Sequence, residues 1–142
     1  MIRFTIPGTA RGKGRPRFGN GRTYTDAATI NAEAWVRACA IPHCPAVPLE
    51  GPLAVRLDVG FIVPASWSRT KRAAALDGAL RPTGRPDADN LIKLVCDPLN
   101  GLLWRDDSQV VELTVTKRYA EAPGSVLTVY ELTAGQFGMV PA

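Results

Sequence analysis

Apolar and polar residues alternate in Ile2-Arg-Phe-Thr-Ile6, which predicts a strand ended by Pro7-Gly8. The longest alternation places Leu53, Val55, Leu57, Val59, Phe61 and Val63 on one face, with Ala54, Arg56, Asp58, Gly60 and Ile62 on the other. Two further alternations follow: Val111, Leu113 and Val115 interleave with Val110, Glu112, Thr114 and Thr116, and Val126, Thr128 and Tyr130 with Leu127, Val129 and Glu131. Pro123-Gly124 lies between them as a turn, so the last two strands read as hairpin partners. Three stretches carry helical spacing. Thr25 or Asp26 caps a helix through about Ala40, with Ile30, Ala34, Ala38 and Ile41 as its apolar stripe and Glu33 and Arg37 toward solvent. Pro42 stops that helix, and residues 42–52, with four prolines, form an extended connector. Ser66 or Ser68 caps a short helix over Arg69 to Leu76, weakened at its end by Gly78. The third helix starts at Asp89, which is a good N-cap supported by Asn90. It turns Leu91 and Val95 toward the core, along with Leu102 beyond it, and it ends near Asp97-Pro98, ahead of an Asn100-Gly101 turn. The order is strand, helix, strand, helix, helix, strand, strand. It predicts an α+β fold, a small mixed β-sheet with helices packed on it, in one domain over residues 1–142 with a flexible tail from Ala134.

Charge changes this picture. A formal net charge of +4 over 142 residues permits a polyanionic partner. From Arg11 to Arg22 the chain carries Arg11, Lys13, Arg15, Arg17 and Arg22 with no acid and four glycines among them. Such a segment makes no regular helix, and its uncompensated cations suit a phosphate-binding arm better than a merely solvated loop. Phe18 and Tyr24 read as core or turn contacts, with stacking on bases the alternative. Lys71 and Arg72 make a second basic patch on the short helix. No apolar run reaches the length of a membrane span, and the start of the chain lacks the apolar stretch of a signal peptide. With an odd count of three cysteines, these features suggest a cytoplasmic protein with reduced thiols. Cys39, His43 and Cys44 have irregular spacing and too few ligands for a zinc site, and His43 has no relay partner nearby, so it reads as a surface residue.

The candidate chemistry lies in residues 85–109. Asp87, Asp89, Asp97, Asp106 and Asp107 stand there among Leu91, Ile92, Leu94, Val95, Leu99 and Trp104. Carboxylates avoid apolar surroundings unless a cation or donor compensates them. Asp89, Lys93 and Asp97 follow at four-residue steps and share one helix face. Asp106-Asp107 stands just before a strand, so two acidic clusters are expected to meet. Each aspartate alone reads as a cap or turn residue. Together with Lys93 they read as an oxygen-donor site for a hard cation such as Mg²⁺, with Lys93 beside a bound phosphate.

The spelling Asp87-Ala-Asp89-Asn90-Leu91-Ile-Lys93, then Asp97, Asn100-Gly101 and Asp106-Asp107-Ser-Gln109, resembles the RusA family of Holliday-junction resolvases, particularly its phage and prophage branch. Lys13-Gly-Arg-Pro-Arg-Phe18 with Gly21-Arg-Thr-Tyr-Thr25, and Pro64-Ala-Ser-Trp-Ser68 before a basic helix, resemble its flanking segments. The resemblance implies a Mg²⁺-dependent endonuclease, with Mn²⁺ a substitute, acting as a homodimer that nicks four-way DNA junctions in opposing strands. It implies metal ligation by Asp87, Asp89 and Asp107 and a catalytic phosphate contact by Lys93. Neighbours in a strand face opposite ways, so Asp106 and Asp107 are not both expected at one metal. The choice of Asp107 comes from the resemblance. Asp97 shares the helix face as an outer group.

A nucleic-acid-binding protein without catalysis is the alternative, but carboxylates repel phosphates unless a metal intervenes. A sugar transferase using Asp-x-Asp finds only a common spacing here and a short chain. A calcium loop finds Leu91 and Ile92 where a ligand and a glycine belong. For a two-fold dimer, the apolar face of the helix after Asp89 and the strand from Leu53 are both candidate contacts.

Overall fold

The computed structural model describes residues 1–133, so the expectation of a flexible tail from Ala134 lies outside the described residues. Six strands and three α-helices follow one another among these residues: β1 (Ile2–Pro7), β2 (Arg17–Gly19), β3 (Arg22–Tyr24), α1 (Ala27–Ala40), β4 (Leu53–Ile62), α2 (Arg69–Leu76), α3 (Ala88–Cys96), β5 (Val110–Ala120) and β6 (Gly124–Glu131). The architecture is α+β, with a four-stranded mixed sheet in the order β1-β6-β4-β5 and a separate two-stranded ribbon, β2-β3. β4 pairs with β5 in parallel and with β6 antiparallel, and β1 closes the other edge against β6.

The expected hairpin between the last two strands does not form. β5 and β6 are joined by a short turn, yet β4 lies between them and pairs with both. β4 is the most apolar strand, and Leu53, Val55, Leu57 and Val59 are all buried. A strand with so much apolar surface is best covered in the middle of a sheet, where it gains a partner on each edge.

The core forms where α1 and α3 cover the Val55, Leu57 and Val59 face, with Val36, Ala40, Leu91, Leu94 and Val95 facing Phe4, Ile6, Leu127 and Val129. Both candidate dimer contacts, the apolar face of α3 and β4, are consumed by this core. The expected stripe on α1 is also corrected. Ile30 and Ile41 are more than half exposed, Ala34 and Ala38 are exposed, and the buried face is Thr29, Val36 and Ala40. Thr29 tolerates burial because its hydroxyl bonds the Asp26 carboxylate at 2.5 Å and accepts the Gly14 N–H at 3.1 Å.

On the opposite face of β4, Asp58 is part-buried between Arg56 (Nε to Oδ2, 2.9 Å), Thr116 and Arg118. Burial alone would raise its pKa, but the bonds from Arg56 and Thr116 outweigh that and hold the carboxyl below the usual range. Asp58 is thereby a structural acid.

Candidate functional site

α3 carries the first acidic cluster. Its N-cap is Asp87, two residues earlier than the pattern suggests, and Asp89 sits in the first helical turn. Pro86 precedes Asp87 and disfavours helix at Arg85, while the Asp87 carbonyl accepts the Leu91 N–H at 3.0 Å and so closes the first turn. The Asp87 side chain makes no capping hydrogen bond. Asp87, Asp89 and Lys93 are all exposed, while Leu91, Ile92, Leu94, Val95 and Cys96 are buried. One helix thus puts its charges outward and its apolar side inward, as a four-residue spacing requires.

The arm reaches this helix. Lys13 N–H donates to the Asn90 carbonyl at 3.2 Å. A Cβ on Gly12 would lie 3.0 Å from the Pro86 Cβ and 3.2 Å from that of Asn90, so only glycine fits there without a shift. Gly12, Lys13, Arg15, Arg85, Pro86, Asp87 and Asn90 line a mainly polar cavity of about 460 Å³. Arg85 was not singled out by the sequence patterns. Its signal was its position next to Pro86-Asp87, and the fold brings it into one cleft with Arg15.

Lys13 itself is not a free cation. Its ammonium pairs with Asp97 and, at 3.4 Å, with Glu33. Burial acts to lower its pKa, but the two carboxylates override that and raise it. The arm as a whole is not a structureless loop, because Arg17–Gly19 and Arg22–Tyr24 pair as a ribbon. Phe18 is 77% exposed and Tyr24 49%, so neither joins the core, and of the two it is Tyr24 that makes the expected turn contact, against Gly19. Arg15, Arg17 and Arg22 are exposed. Lys71 lies 4.0 Å over the Trp67 ring, which meets Tyr119 edge-on near the end of β5, and Arg72 is half-buried.

Asp106 and Asp107 have different environments. Asp106 is the N-cap of a short 3₁₀ turn, Asp107–Gln109, and accepts the Ser108 N–H at 3.0 Å. Gln109 completes the capping box by accepting the Asp106 N–H at 2.9 Å, and its amide donates to the Leu49 and Gly51 carbonyls, each at 3.0 Å. The bond from Ser108 holds the Asp106 carboxyl below its usual range. Asp107, partly buried, is raised by burial and then by the charges of Asp106 and Asp97, while Asn100 acts the other way. These two residues separate because a 3₁₀ turn, not a strand, carries Asp107. Burial, with the charges of Asp107 and Asp97, pushes the Cys96 thiol up to about 12. Cys39 and Cys44 are raised by burial, and Cys44 donates to the Ala40 carbonyl at 3.2 Å, as structural thiols do. His43 is exposed and stacks on Phe4.

The two acidic clusters therefore meet at one point, Asp97 with Asp107. Asp89 and Asp97 are separated by roughly 12 Å along α3 at the usual rise per residue. Among the described residues, no three Asp, Glu, His or Cys side chains converge as a ready-made metal cage. The donor chemistry does suit a hard cation. Mg²⁺ usually takes one or two protein carboxylates and fills its other positions with water and substrate phosphate. Asp97 and Asp107 stand close enough for their charges to interact, and the Lys13 ammonium already pairs with Asp97. Asp87 lines the arginine-rich cleft, and Asp89 lies exposed in the first turn of the same helix.

A family model described as Endodeoxyribonuclease RusA matches residues 7–130. Uncharacterized protein YqaN of Bacillus subtilis (strain 168) is 37% identical over 139 residues, covering 94% of this chain and 98% of that protein. No helix among the described residues is long and apolar enough to cross a membrane.

Proposed function

This chain belongs to the RusA endodeoxyribonuclease family, and from that premise we propose that it is a Mg²⁺-dependent, structure-selective nuclease resolving four-way DNA junctions by paired symmetric nicks. Its setting is recombination and repair of cytoplasmic DNA, including that of a prophage, and Mn²⁺ substitutes for Mg²⁺. Residues 1–142 act as one endonuclease domain, and the working unit is a two-fold dimer with one acidic site per subunit. The observation that carries this reading is the cleft at the start of α3, where Asp87, whose side chain makes no capping hydrogen bond, lines a mainly polar cavity together with Arg15 and Arg85. Acid and base around one cleft suit a phosphate that brings a cation with it.

Asp87, Asp89 and Asp107 are the proposed metal-holding residues, with Asp97 as an outer group against Asp107. A bound Mg²⁺ supplies Lewis-acid polarisation of the phosphate and a more acidic water. The chain's own cations do the rest. Arg15 and Arg85 hold the strand in register, and Lys93 faces the non-bridging oxygens, where negative charge grows as water's oxygen bonds to phosphorus and the ester P–O bond breaks. Lys71 and Arg72 extend the phosphate contact along the duplex arms.

The test compares a four-way junction, a flap, a duplex and single-stranded DNA, each with and without Mg²⁺. Paired nicks symmetric about the branch point, in the junction alone and only with the metal, are expected. Junction binding with no cleavage in either Mg²⁺ or Mn²⁺ would leave a non-catalytic DNA-binding protein. The arm carries its own prediction. The Arg15→Ala, Arg17→Ala, Arg22→Ala triple variant should weaken binding to every DNA sequence alike. The slope of log K against log salt should fall by about 0.9 for each phosphate that the variant no longer neutralises. An unchanged slope would show that these arginines touch no phosphate.

A further inference from the structure

The β2-β3 ribbon is not explained by the acidic cleft. Its register pairs Arg17 with Tyr24, Phe18 with Thr23 and Gly19 with Arg22. Asn20 (φ 51°) and Gly21 (φ 75°) make the two-residue turn, both in the left-handed region that such hairpins require. Alternation then puts Phe18 and Thr23 on one face and Arg17, Arg22 and Tyr24 on the other. Tyr24 is committed locally: a Cβ on Gly19 would lie 3.1 Å from its Cε1. Phe18 is not. At 77% exposure it ties with Met1 as the most exposed large apolar side chain among the described residues.

An isolated two-stranded ribbon is marginal in water, so its base must be held. It is held at the active cleft. The chain entering it is pinned by Lys13 N–H to the Asn90 carbonyl and by Gly14 N–H to Thr29 at 3.1 Å, and the chain leaving it runs into Asp26, which bonds Thr29. The ribbon therefore springs from the same segment, residues 12–15, that lines the Arg15–Arg85–Asp87 cleft.

Cations alone track phosphates and cannot distinguish a junction from a duplex. An aromatic ring needs a base face, and inside a duplex every base face is already stacked. At a branch point the stack is broken, and a base face is available at little cost. We infer that Phe18 stacks on a base at the branch point, and that this contact selects branched DNA over duplex. This deepens the nuclease reading and rests on it.

The full chain, in EDTA to prevent cleavage, is titrated against a four-way junction and against a duplex of the same arm sequence. Phe18→Ala should lose about 5- to 150-fold in junction affinity, the scale of one base–aromatic stack, with duplex affinity unchanged. Phe18→Trp should keep junction affinity, and its added indole emission, relative to the unsubstituted chain, should be quenched by junction and not by duplex. If Phe18→Ala weakens both DNAs equally or neither, or if the added indole is not quenched, the stacking contact is wrong. In that case the unsubstituted chain still prefers junctions and the nuclease reading survives. If the unsubstituted chain shows no junction preference, the nuclease reading fails first and this one with it.

Discussion

Asp107→Asn, Asp87→Asn and Asp89→Asn should each lower the rate of junction cleavage by about 10²-fold or more, the scale of removing one electrostatic stabiliser of a transition state. Junction affinity without metal should hold or tighten, since a negative charge near phosphate is gone. Asp106→Asn is the informative control. Its carboxylate is committed to the Ser108 N–H in the capping box, so asparagine should keep most of the cap and nearly all of the activity. The four variants are measured in single turnover at saturating enzyme, across a Mg²⁺ titration. Added Mg²⁺ should restore part of the rate in an Asp variant that binds the ion weakly. Lys93→Ala should lose a similar factor, roughly 10²–10³, and added Mg²⁺ should not restore it. Full activity in Asp107→Asn with loss in Asp106→Asn would reverse the assignment between these two residues. Lys93→Ala that cleaves normally once bound would make Lys93 a binding residue.

Trp104→Ala should cost about 3–5 kcal/mol of stability, as large aromatic truncations in a core do, out of the ~5–15 kcal/mol available to a domain of this size. Trp104 is fully buried, and its indole N–H donates to Asn100 Oδ1 at 2.8 Å. Its carbonyl accepts the Gly101 N–H at 2.7 Å, and Gly101 takes φ 78° to turn the chain there. The segment is also fastened to the connector, with Leu49 N–H donating to Leu103 at 2.9 Å and Arg105 N–H to Leu49 at 3.2 Å. Trp104→Phe removes the indole N–H donor and one ring of the buried bicycle. It should cost about 1–3 kcal/mol, from the lost ring volume and the lost hydrogen bond to part-buried Asn100. It should also slow cleavage, because the Asn100 side chain that it frees is the one acting on Asp107. Urea denaturation with an unchanged m-value reports the stability loss. A shift below about 1 kcal/mol for Trp104→Ala would show that this tryptophan does not support the site.

Local chemistry was legible where one residue's neighbours in sequence are also its partners in space. Ser68 caps α2, as its position before a run of helix formers suggests, and accepts the Lys71 N–H at 3.2 Å. The alternation at Leu53 to Ile62 is a strand with its apolar face buried. The spacing through Asp89 and Lys93 leaves both exposed above a buried apolar face. The α+β class and the family follow from these patterns, because period and motif are properties of the chain itself.

What stayed hidden depends on residues far apart in the chain. Periodicity says that α1 has faces, but the sheet and α3 decide which one is covered, and they cover Val36 and Ala40 while Ile30 and Ile41 stay out. The turn at Pro123-Gly124 says that two strands are close in sequence, but β4 gains a partner on each edge by standing between them. Lys13 looks like one more cation in a basic arm until the fold brings Asp97, 84 positions away, against its ammonium. Asp106 and Asp107 are the same residue type side by side. A capping box draws one carboxylate to the backbone, and the turn it starts presses the other against Asp97. The sequence determined which groups the protein has and the period on which each is displayed. Only the tertiary structure decided which charges neutralise one another, because Coulomb and hydrogen-bond energies depend on distance in space and local burial, and neither follows from separation along the chain.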